Sequence, residues 1–215
     1  MNSPVVVHYF DYKSPYAYLA QAATDQLERE FGIQVTRLPY TLDIPSFLGR
    51  AEVDAQGRTV LDQRNDHQWR RVRYAYMDCR REATRRGLTL RGPRKVFDSA
   101  IAHIGFLYAC EVGVWRAYHD AVFSAFWRRE LDIENPLAIA EVLAGAGAAP
   151  APADFLDWLA GEGRSRYAQL HAQAESAGVF GVPSWQVDGE LFWGPERLDR
   201  ISERIGAQLS GSARR

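Results

Sequence analysis

Ser14 is the residue whose type and position are best suited to chemistry. It stands in the sequence Asp11 to Pro15, directly after an apolar run from Val5 to Phe10 that predicts a buried strand. A serine followed by proline suits the N-cap and first position of a helix, and the N–H groups and dipole of a helix N-terminus stabilise an anion or a thiolate. Ser14 is therefore a candidate catalytic hydroxyl or a simple N-cap, and its position leaves both roles open.

A second candidate segment is Gly181-Val182-Pro183, immediately before the predicted strand Ser184 to Val187. A cis-proline here would leave the N–H and C=O of Val182 free to pair with a peptide-like ligand. The segment therefore predicts a binding edge made of backbone groups.

The two cysteines, Cys79 and Cys110, lie in separate predicted helices and form no Cys-x-x-Cys pair. This spacing favours neither a disulfide framework nor a zinc knuckle, and we expect both to be buried free thiols. The chain has no His-x-His or His-Glu-x-x-His motif and no glycine-rich phosphate loop. We therefore expect no metal site.

Hydrophobic periodicity predicts the elements that position these residues. A helix from Pro15 to Phe31, ended by Gly32, is followed by a second strand at Ile33 to Tyr40, which favours a parallel β-α-β unit. Further helices are predicted from Asn65-Asp66 to Gly87, Val96 to Gly113, Trp115 to Trp127, Asn135-Pro136 to Leu143, Asp154 to Leu159 and Arg164 to Ala177, with a surface loop at Gly145 to Pro152. The chain ends with a hairpin, Ser184 to Val187 and Glu190 to Trp193 around Asp188-Gly189, and a helix beginning at Pro195.

This order predicts an α/β fold, namely a thioredoxin-like fold with a helical domain inserted between its β-α-β half and its β-β-α half. Residues 1–40 and 178–209 would form the thioredoxin-like domain. Residues 41–177 would form a connecting loop and the helical insertion, and residues 210–215 a frayed tail.

Composition limits the classes of partner. The 215 residues carry 26 basic and 27 acidic side chains, a net charge of −1, so no global field favours nucleic acid or an anionic membrane. The start of the chain does not have the pattern of a signal peptide, and no stretch is long and apolar enough to span a bilayer. We expect a cytoplasmic protein with a small-molecule substrate.

Two motifs carry a resemblance to a known family. The residues from Asp11 to Ala20, and those from Ala177 to Pro183 followed by Val187 to Gly194, resemble the DsbA-like family that includes 2-hydroxychromene-2-carboxylate isomerase and kappa-class glutathione transferases. The segment Tyr74 to Leu90 also resembles that family's inserted helices. The redox members carry Cys-Pro-x-Cys where this chain has Ser14 to Ala17, and thiol–disulfide exchange requires a thiolate. The resemblance therefore excludes redox chemistry at this helix start and implies glutathione as the cofactor.

The resemblance also implies roles for individual residues. The Ser14 hydroxyl would be catalytic, donating a hydrogen bond to the glutathione sulfur and raising its thiolate fraction. The cofactor would also be held at Pro15, at the backbone of Val182 beside Pro183, and at Pro195 and Glu196. Relatives carry a polar residue and an Asp at these last two positions, and of the two only Glu196 retains a group that can pair with an ammonium.

The insertion would supply the substrate pocket, together with the start of the first helix. Our candidates for this pocket are Tyr16, Trp69, Lys95 and Asp98. Relatives also carry an Asn and a Lys that contact glutathione before the helical domain, whereas residues 41–73 contain no lysine; Arg50 and Arg58 are the candidate substitutes.

These features predict a glutathione-dependent isomerase or transferase acting on small hydrophobic or aromatic electrophiles, and relatives suggest a homodimer. The alternative is a non-enzymatic thioredoxin-fold module that binds a peptide or a partner chain at the Val182 edge.

Overall fold

A computed structural model describes residues 4–148 and 152–212. The chain divides into two compact units: residues 1–40 with 169–215, and residues 41–168. The boundary between residues 168 and 169 falls inside a helix.

The first unit contains a four-stranded sheet. Its strands are β1 (Val6–Phe10), β2 (Val35–Pro39), β5 (Ser184–Val187) and β6 (Glu190–Trp193), in the order β2-β1-β5-β6. β1 is parallel to β2, and β5 is antiparallel to both β1 and β6. This is the α/β sheet of a thioredoxin-like fold, as the order of elements predicts.

Two helices pack on one face of this sheet. Helix α1 (Pro15–Phe31) connects β1 to β2, and α9 (Leu198–Ser212) follows a 3₁₀ turn at Pro195–Arg197. Their apolar residues form one core with the strands: Val6, Ala20, Leu27, Ile33, Val35, Trp185, Val187, Ile201 and Ile205. Burial of this apolar surface stabilises the unit and fixes both ends of α1 relative to the sheet.

The second unit is mainly helical. It contains α2 (Ile44–Leu48), a two-stranded sheet of β3 (Ala51–Val53) and β4 (Thr59–Asp62), α3 (Asp66–Arg85), α4 (Ala100–Glu111), α5 (Trp115–Trp127), α6 (Pro136–Gly145) and α7 (Pro152–Ala160). Helix α8 (Glu162–Ser176) begins in this unit and ends in the first. No helix in the described ranges is long and apolar enough to cross a membrane.

The structure corrects four predictions about elements. The segment before Asn65 is not a plain connecting loop, because it contains α2 and the β3–β4 hairpin. Helix α4 begins at Ala100 rather than Val96, and the last α-helix begins at Leu198 rather than Pro195. This helix continues to Ser212, so the predicted frayed tail is helical as far as it is described, and residues 213–215 lie outside the described residues.

The predicted loop at residues 145–152 is bounded by α6 and α7, and residues 149–151 lie outside the described residues. The cysteine prediction was correct for Cys79, which is buried in α3, but wrong for Cys110, which is exposed at the end of α4.

Candidate functional site

Ser14 is buried and forms the N-cap of α1, as predicted. Ser14 is 3% exposed and has extended backbone angles, and its Oγ accepts a hydrogen bond from the N–H of Ala17 at 3.2 Å. Its own N–H donates to the carbonyl of Asp11 at 3.0 Å, which closes the turn between β1 and α1. No described residue accepts a hydrogen bond from the Ser14 hydroxyl, so its proton is available to a ligand.

A buried ion pair lies in the same turn. The Nζ of Lys13 is 3.6 Å from Oδ2 of Asp11, and the two side chains are 5% and 0% exposed. The backbone N–H of Lys13 also donates to Oδ1 of Asp11 at 3.1 Å. The residue before Ser14 therefore places a desolvated cation in the turn that presents the hydroxyl, where an electrostatic interaction is stronger than in water.

Sequence analysis missed this pair. Lys13 is one of only two lysines in an arginine-rich chain. That choice of residue is the signal that would have marked the position, since a lysine ammonium is more compact than a guanidinium.

The Val182–Pro183 peptide bond is cis, which confirms the prediction made from the motif. The side chain of Val182 is buried, and neither its N–H nor its C=O forms a hydrogen bond with any described residue. The flanking backbone is fixed, because Ser184 Oγ donates to the Gly181 carbonyl at 2.6 Å and the Gly194 N–H to the Pro183 carbonyl at 3.0 Å. Val182 thus presents one donor and one acceptor on a fixed segment.

The sheet brings these two features to one edge. In the antiparallel β1–β5 pair, Tyr9 lies opposite Ser184. The residues that follow β1 and those that precede β5 therefore emerge at the same end of the sheet. Ser14 and Val182 belong to these two segments, so a ligand at this edge can meet a hydroxyl and a backbone N–H and C=O.

Two exposed aromatic residues border the cis-proline segment. Phe180 and Trp193 are 63% and 51% exposed, and their ring centroids lie 5.0 Å apart. The indole packs so closely on Gly181 that an added Cβ would lie 2.6 Å from its Nε1. This contact explains the glycine of the motif. The sequence signal for the pair was an aromatic residue directly before the motif, Phe180, and another at the end of the returning strand, Trp193.

Pro195 and Glu196, two of the residues predicted to hold the cofactor, lie in a 3₁₀ turn rather than at the start of an α-helix. The exposed Glu196 folds its carboxylate back over Gly194, which has a φ of 95°. A Cβ at Gly194 would collide with this carboxylate. Glu196 remains the one candidate anion at this position.

The predicted substrate-pocket residues fall in both units. Tyr16 is half-buried in the first turn of α1, in the first unit. Trp69, in the second, donates from Nε1 to both carboxylate oxygens of Asp62 at 3.0 and 2.9 Å, and the guanidinium carbons of Arg64 and Arg73 lie 5.0 and 5.6 Å from its ring centroid. These partners explain Trp69 as part of the local packing of the second unit.

Lys95 and Asp98 share a carboxylate partner. Lys95 Nζ pairs with Glu134 Oε2, and the N–H of Asp98 donates to Glu134 Oε1 at 2.6 Å. The assignment of Lys95 and Asp98 to a substrate pocket stays a prediction. The same holds for the two arginines proposed to replace the glutathione contacts of relatives. Of these, Arg50 is exposed, and the Arg58 guanidinium is bound to Asp54 Oδ2 at 2.7 Å. No cluster of three or more His, Cys, Asp or Glu side chains suited to a metal occurs in residues 4–148 and 152–212.

Curated proteins, solved structures and a family model were compared with the chain, and all three point to relatives with a thioredoxin-like fold. Curated proteins named 2-hydroxychromene-2-carboxylate isomerase match the chain. The one from Sphingobium xenophagum is 28% identical over 199 residues, covering 92% of this chain and 95% of its own. The one from Pseudomonas putida is 28% identical over 207 residues, covering 94% of each chain.

Solved structures match with similar coverage. A structure of a 2-hydroxychromene-2-carboxylate isomerase has a TM-score of 0.71 at 26% identity, covering 97% of this chain and 98% of its own. A probable DsbA oxidoreductase from Streptomyces coelicolor has a TM-score of 0.73 at 19% identity, covering 96% and 90%, and this likeness concerns the fold alone.

The family model described as DSBA-like thioredoxin domain matches residues 5–206, nearly the whole chain. The sheet, the helix that begins at a capped Ser14 and the cis-Val182–Pro183 bond lie within this match. The chain belongs to the DSBA-like thioredoxin domain family.

Proposed function

We propose that this chain is a glutathione-dependent isomerase, or a related glutathione transferase, that acts on small hydrophobic or aromatic electrophiles. The observation that carries the proposal is the Ser14 hydroxyl, which is buried at the start of α1 with its proton uncommitted. The relatives named 2-hydroxychromene-2-carboxylate isomerase support an isomerase.

The backbone edge fits glutathione. The free N–H and C=O of Val182 match the donor and acceptor of an extended peptide, and the cysteinyl part of glutathione is such a peptide. With the cysteinyl part paired there, its sulfur would be directed towards the N-terminus of α1, since the two segments share one edge of the sheet.

In the reaction, Ser14 acts by stabilising negative charge on sulfur. Glutathione held at this edge would supply a thiol, the nucleophile for reversible addition to a conjugated substrate. The Ser14 hydroxyl donates to the sulfur, and the helix dipole of α1 favours the anion. Pro15 fixes the first turn and has no N–H to compete for the ligand. Because Ala17 occupies the second cysteine position of the redox motif, no disulfide forms at this helix start.

The test is turnover of 2-hydroxychromene-2-carboxylate with and without glutathione. We expect glutathione-dependent turnover in the unmodified chain and a loss of about 10- to 100-fold in kcat/KM for Ser14→Gly, the cost of one hydrogen bond to a charged group. Glycine at an N-cap costs the helix only a few tenths of a kcal/mol, so the variant separates catalysis from folding. Ser14→Ala should lose the same activity and about 1 kcal/mol of stability.

Ser165→Ala is the matched control, since Ser165 is exposed and its hydroxyl donates to the carbonyl of Gly161, in the turn between α7 and α8; this variant should keep full activity. Turnover without glutathione, or an unchanged kcat/KM in Ser14→Gly, would contradict the proposal.

The second candidate function is a non-enzymatic module that binds an extended peptide. Two observations favour it. Phe180 and Trp193 form an exposed aromatic pair beside Val182, and β6, which carries Trp193, is an edge strand of the sheet formed by the described residues, where an extended peptide can pair. The same turnover assay separates the two functions, since a peptide-binding module shows no turnover and does not require the Ser14 hydroxyl. We also propose that the protein is a cytoplasmic homodimer. Sedimentation equilibrium would test the dimer by measuring its mass.

A further inference from the structure

Two arginines contact Gly92 in the second unit, and two more lie in the same loop, close enough for their charges to act on the first pair. Arg129, directly after α5, donates from Nε to the carbonyl of Gly92 at 2.7 Å and also from Nη2. On the other side, a Cβ added at Gly92 would lie 3.5 Å from Nη2 of Arg80, on α3. Arg91 and Arg94 belong to the same loop as Gly92. We call Arg80, Arg91, Arg94 and Arg129 the arginine cluster.

The backbone that carries Arg91 and Arg94 is fixed by two other elements. The Arg91 N–H donates to the Trp127 carbonyl at 2.8 Å, and the Arg94 carbonyl accepts from the Val53 N–H at 2.8 Å. On α3, the guanidinium carbon of Arg80 lies 5.8 Å from the ring centroid of Tyr76. The loop backbone is therefore held by β3 and by the end of α5, while the four arginine side chains are exposed to solvent.

No carboxylate in the described part of the chain pairs with any member of the arginine cluster. The nearby cations behave differently, because Arg128 pairs with Glu130 at 2.7 Å and Lys95 pairs with Glu134. Burial, followed by the like charges of Arg94, Arg91 and Arg80, lowers the pKa of Arg129. Like charges at close range repel, so an arrangement of this kind is favoured when an anion is present.

The residue that anchors the cluster also has an unusual backbone. Arg129 has a φ of 63°, a conformation that costs a non-glycine residue of order 1 kcal/mol or more. The N–H groups of Arg129 and Glu130 donate to the carbonyls of Phe126 and Ala125, so this conformation ends α5 and sets the direction in which the Arg129 side chain leaves the helix.

We propose that the arginine cluster is a binding site for a multiply charged oxyanion, namely the phosphate or diphosphate group of a small molecule. The planar guanidinium group matches phosphate oxygens in pairs of parallel hydrogen bonds, and several such groups around one point favour a dianion over a monoanion. The net charge of −1 provides no long-range attraction for a polyanion, which favours a small ligand over nucleic acid. The inference does not depend on the function proposed for Ser14.

The test is calorimetric titration with pyrophosphate at constant physiological ionic strength. We expect saturable binding with a Kd below about 1 mM and a loss of at least about tenfold in Arg80→Gln/Arg94→Gln. The matched control is Arg70→Gln/Arg71→Gln, which removes the same charge from exposed positions of α3 and should bind as the unmodified chain does. Circular dichroism establishes that both variants are folded.

Three results would overturn the proposal. The first is the absence of saturable heat with pyrophosphate at about tenfold the expected Kd limit. The second is an equal loss in the control variant, which would indicate a general charge effect. The third is tighter binding of succinate or of a single-stranded oligonucleotide than of pyrophosphate, which would assign the cluster to a dicarboxylate or to nucleic acid.

Discussion

A histidine lies in the core of the first unit with one ring nitrogen lacking a hydrogen bond. His8, on β1, is fully buried and stacks on Trp185 with ring centroids 4.7 Å apart. The Thr24 hydroxyl donates to the Ala20 carbonyl at 3.1 Å and accepts from Trp185 Nε1 at 3.3 Å. Its remaining contact, with His8 Nδ1 at 3.3 Å, therefore requires Nδ1 to be the donor. The neutral tautomer leaves only a lone pair at Nε2 without a partner.

This arrangement predicts that acid destabilises the chain through His8. Burial, followed by the charge of Arg37, lowers the pKa of His8 from 6.5 to about 3. The unfolded chain binds a proton below about pH 6.5 and the folded chain does not, so the free energy of unfolding should fall by about 1.4 kcal/mol per pH unit from this group. The loss begins near pH 6.5 as the pH is lowered and is complete near pH 3.

Urea unfolding of His8→Leu at several pH values measures this contribution. The variant should lose this component of the slope, whereas His67→Gln, which removes an exposed histidine at the start of α3, should keep it. An acid slope unchanged in His8→Leu would show that other groups dominate acid unfolding.

The hairpin between β5 and β6 is an element whose formation depends on two backbone conformations. Asp188 and Gly189 have φ values of 49° and 87°. The carboxylate of Asp188 also accepts a hydrogen bond from the Val5 N–H at 2.9 Å, and the backbone N–H of Asp188 donates to the Val5 carbonyl at 3.0 Å. Asp-Gly is the sequence that such a two-residue turn prefers, and for this reason the hairpin was predicted at its observed bounds.

Gly189→Ala should therefore destabilise the chain by about 1–2 kcal/mol, because a Cβ is unfavourable in the left-handed region. The same substitution at Gly145, the last residue of α6, should have the opposite effect and stabilise by about 0.4–1 kcal/mol. Chemical denaturation of both variants provides the comparison. If the two changes have the same sign, backbone conformation does not determine the stability of this turn.

The elements that were predicted correctly carry their own local signals. Ser14 and Gly32 cap α1, and Asn65 forms a capping box with Gln68 at the start of α3. The start of α4 was predicted too early, because the contact that determines where this helix begins comes from a residue far away in the sequence. Glu134 accepts the N–H of Asp98 and so holds the preceding residues outside the helix.

The β3–β4 hairpin was missed for a similar reason. Its strands have three and four residues, too few for a pattern of apolar alternation to mark them, and their register shifts at Glu52 and Val53. The Val53 N–H donates to the carbonyl of Arg94, which is distant in the sequence. The same distinction applies to the sites. Ser14 and the cis-proline could be predicted from local sequence motifs, whereas the arginine cluster could not, because it is formed by residues from separate elements of the second unit.

At the scale of the whole molecule, its two thiols differ in access to solvent. Cys79 is 0% exposed in α3, whereas Cys110 is exposed at the end of α4. Although the Cys110 residue is exposed, desolvation of its sulfur raises the pKa of the thiol to about 11. Only Cys110 is therefore open to reagents in the folded chain, and it reacts slowly at neutral pH because the thiolate is the nucleophile.

We therefore predict that iodoacetamide modifies one cysteine in the native chain and both in urea, as counted by mass spectrometry. The native rate should rise about tenfold per pH unit between about pH 7 and 10, following the thiolate fraction of Cys110. Cys79 should react only as fast as the structure around α3 opens, so its rate reports the stability of the second unit. Cys110→Ser should abolish native modification. Equal native rates at the two cysteines would instead mean that α3 opens readily, since Cys79 has no other route to the reagent.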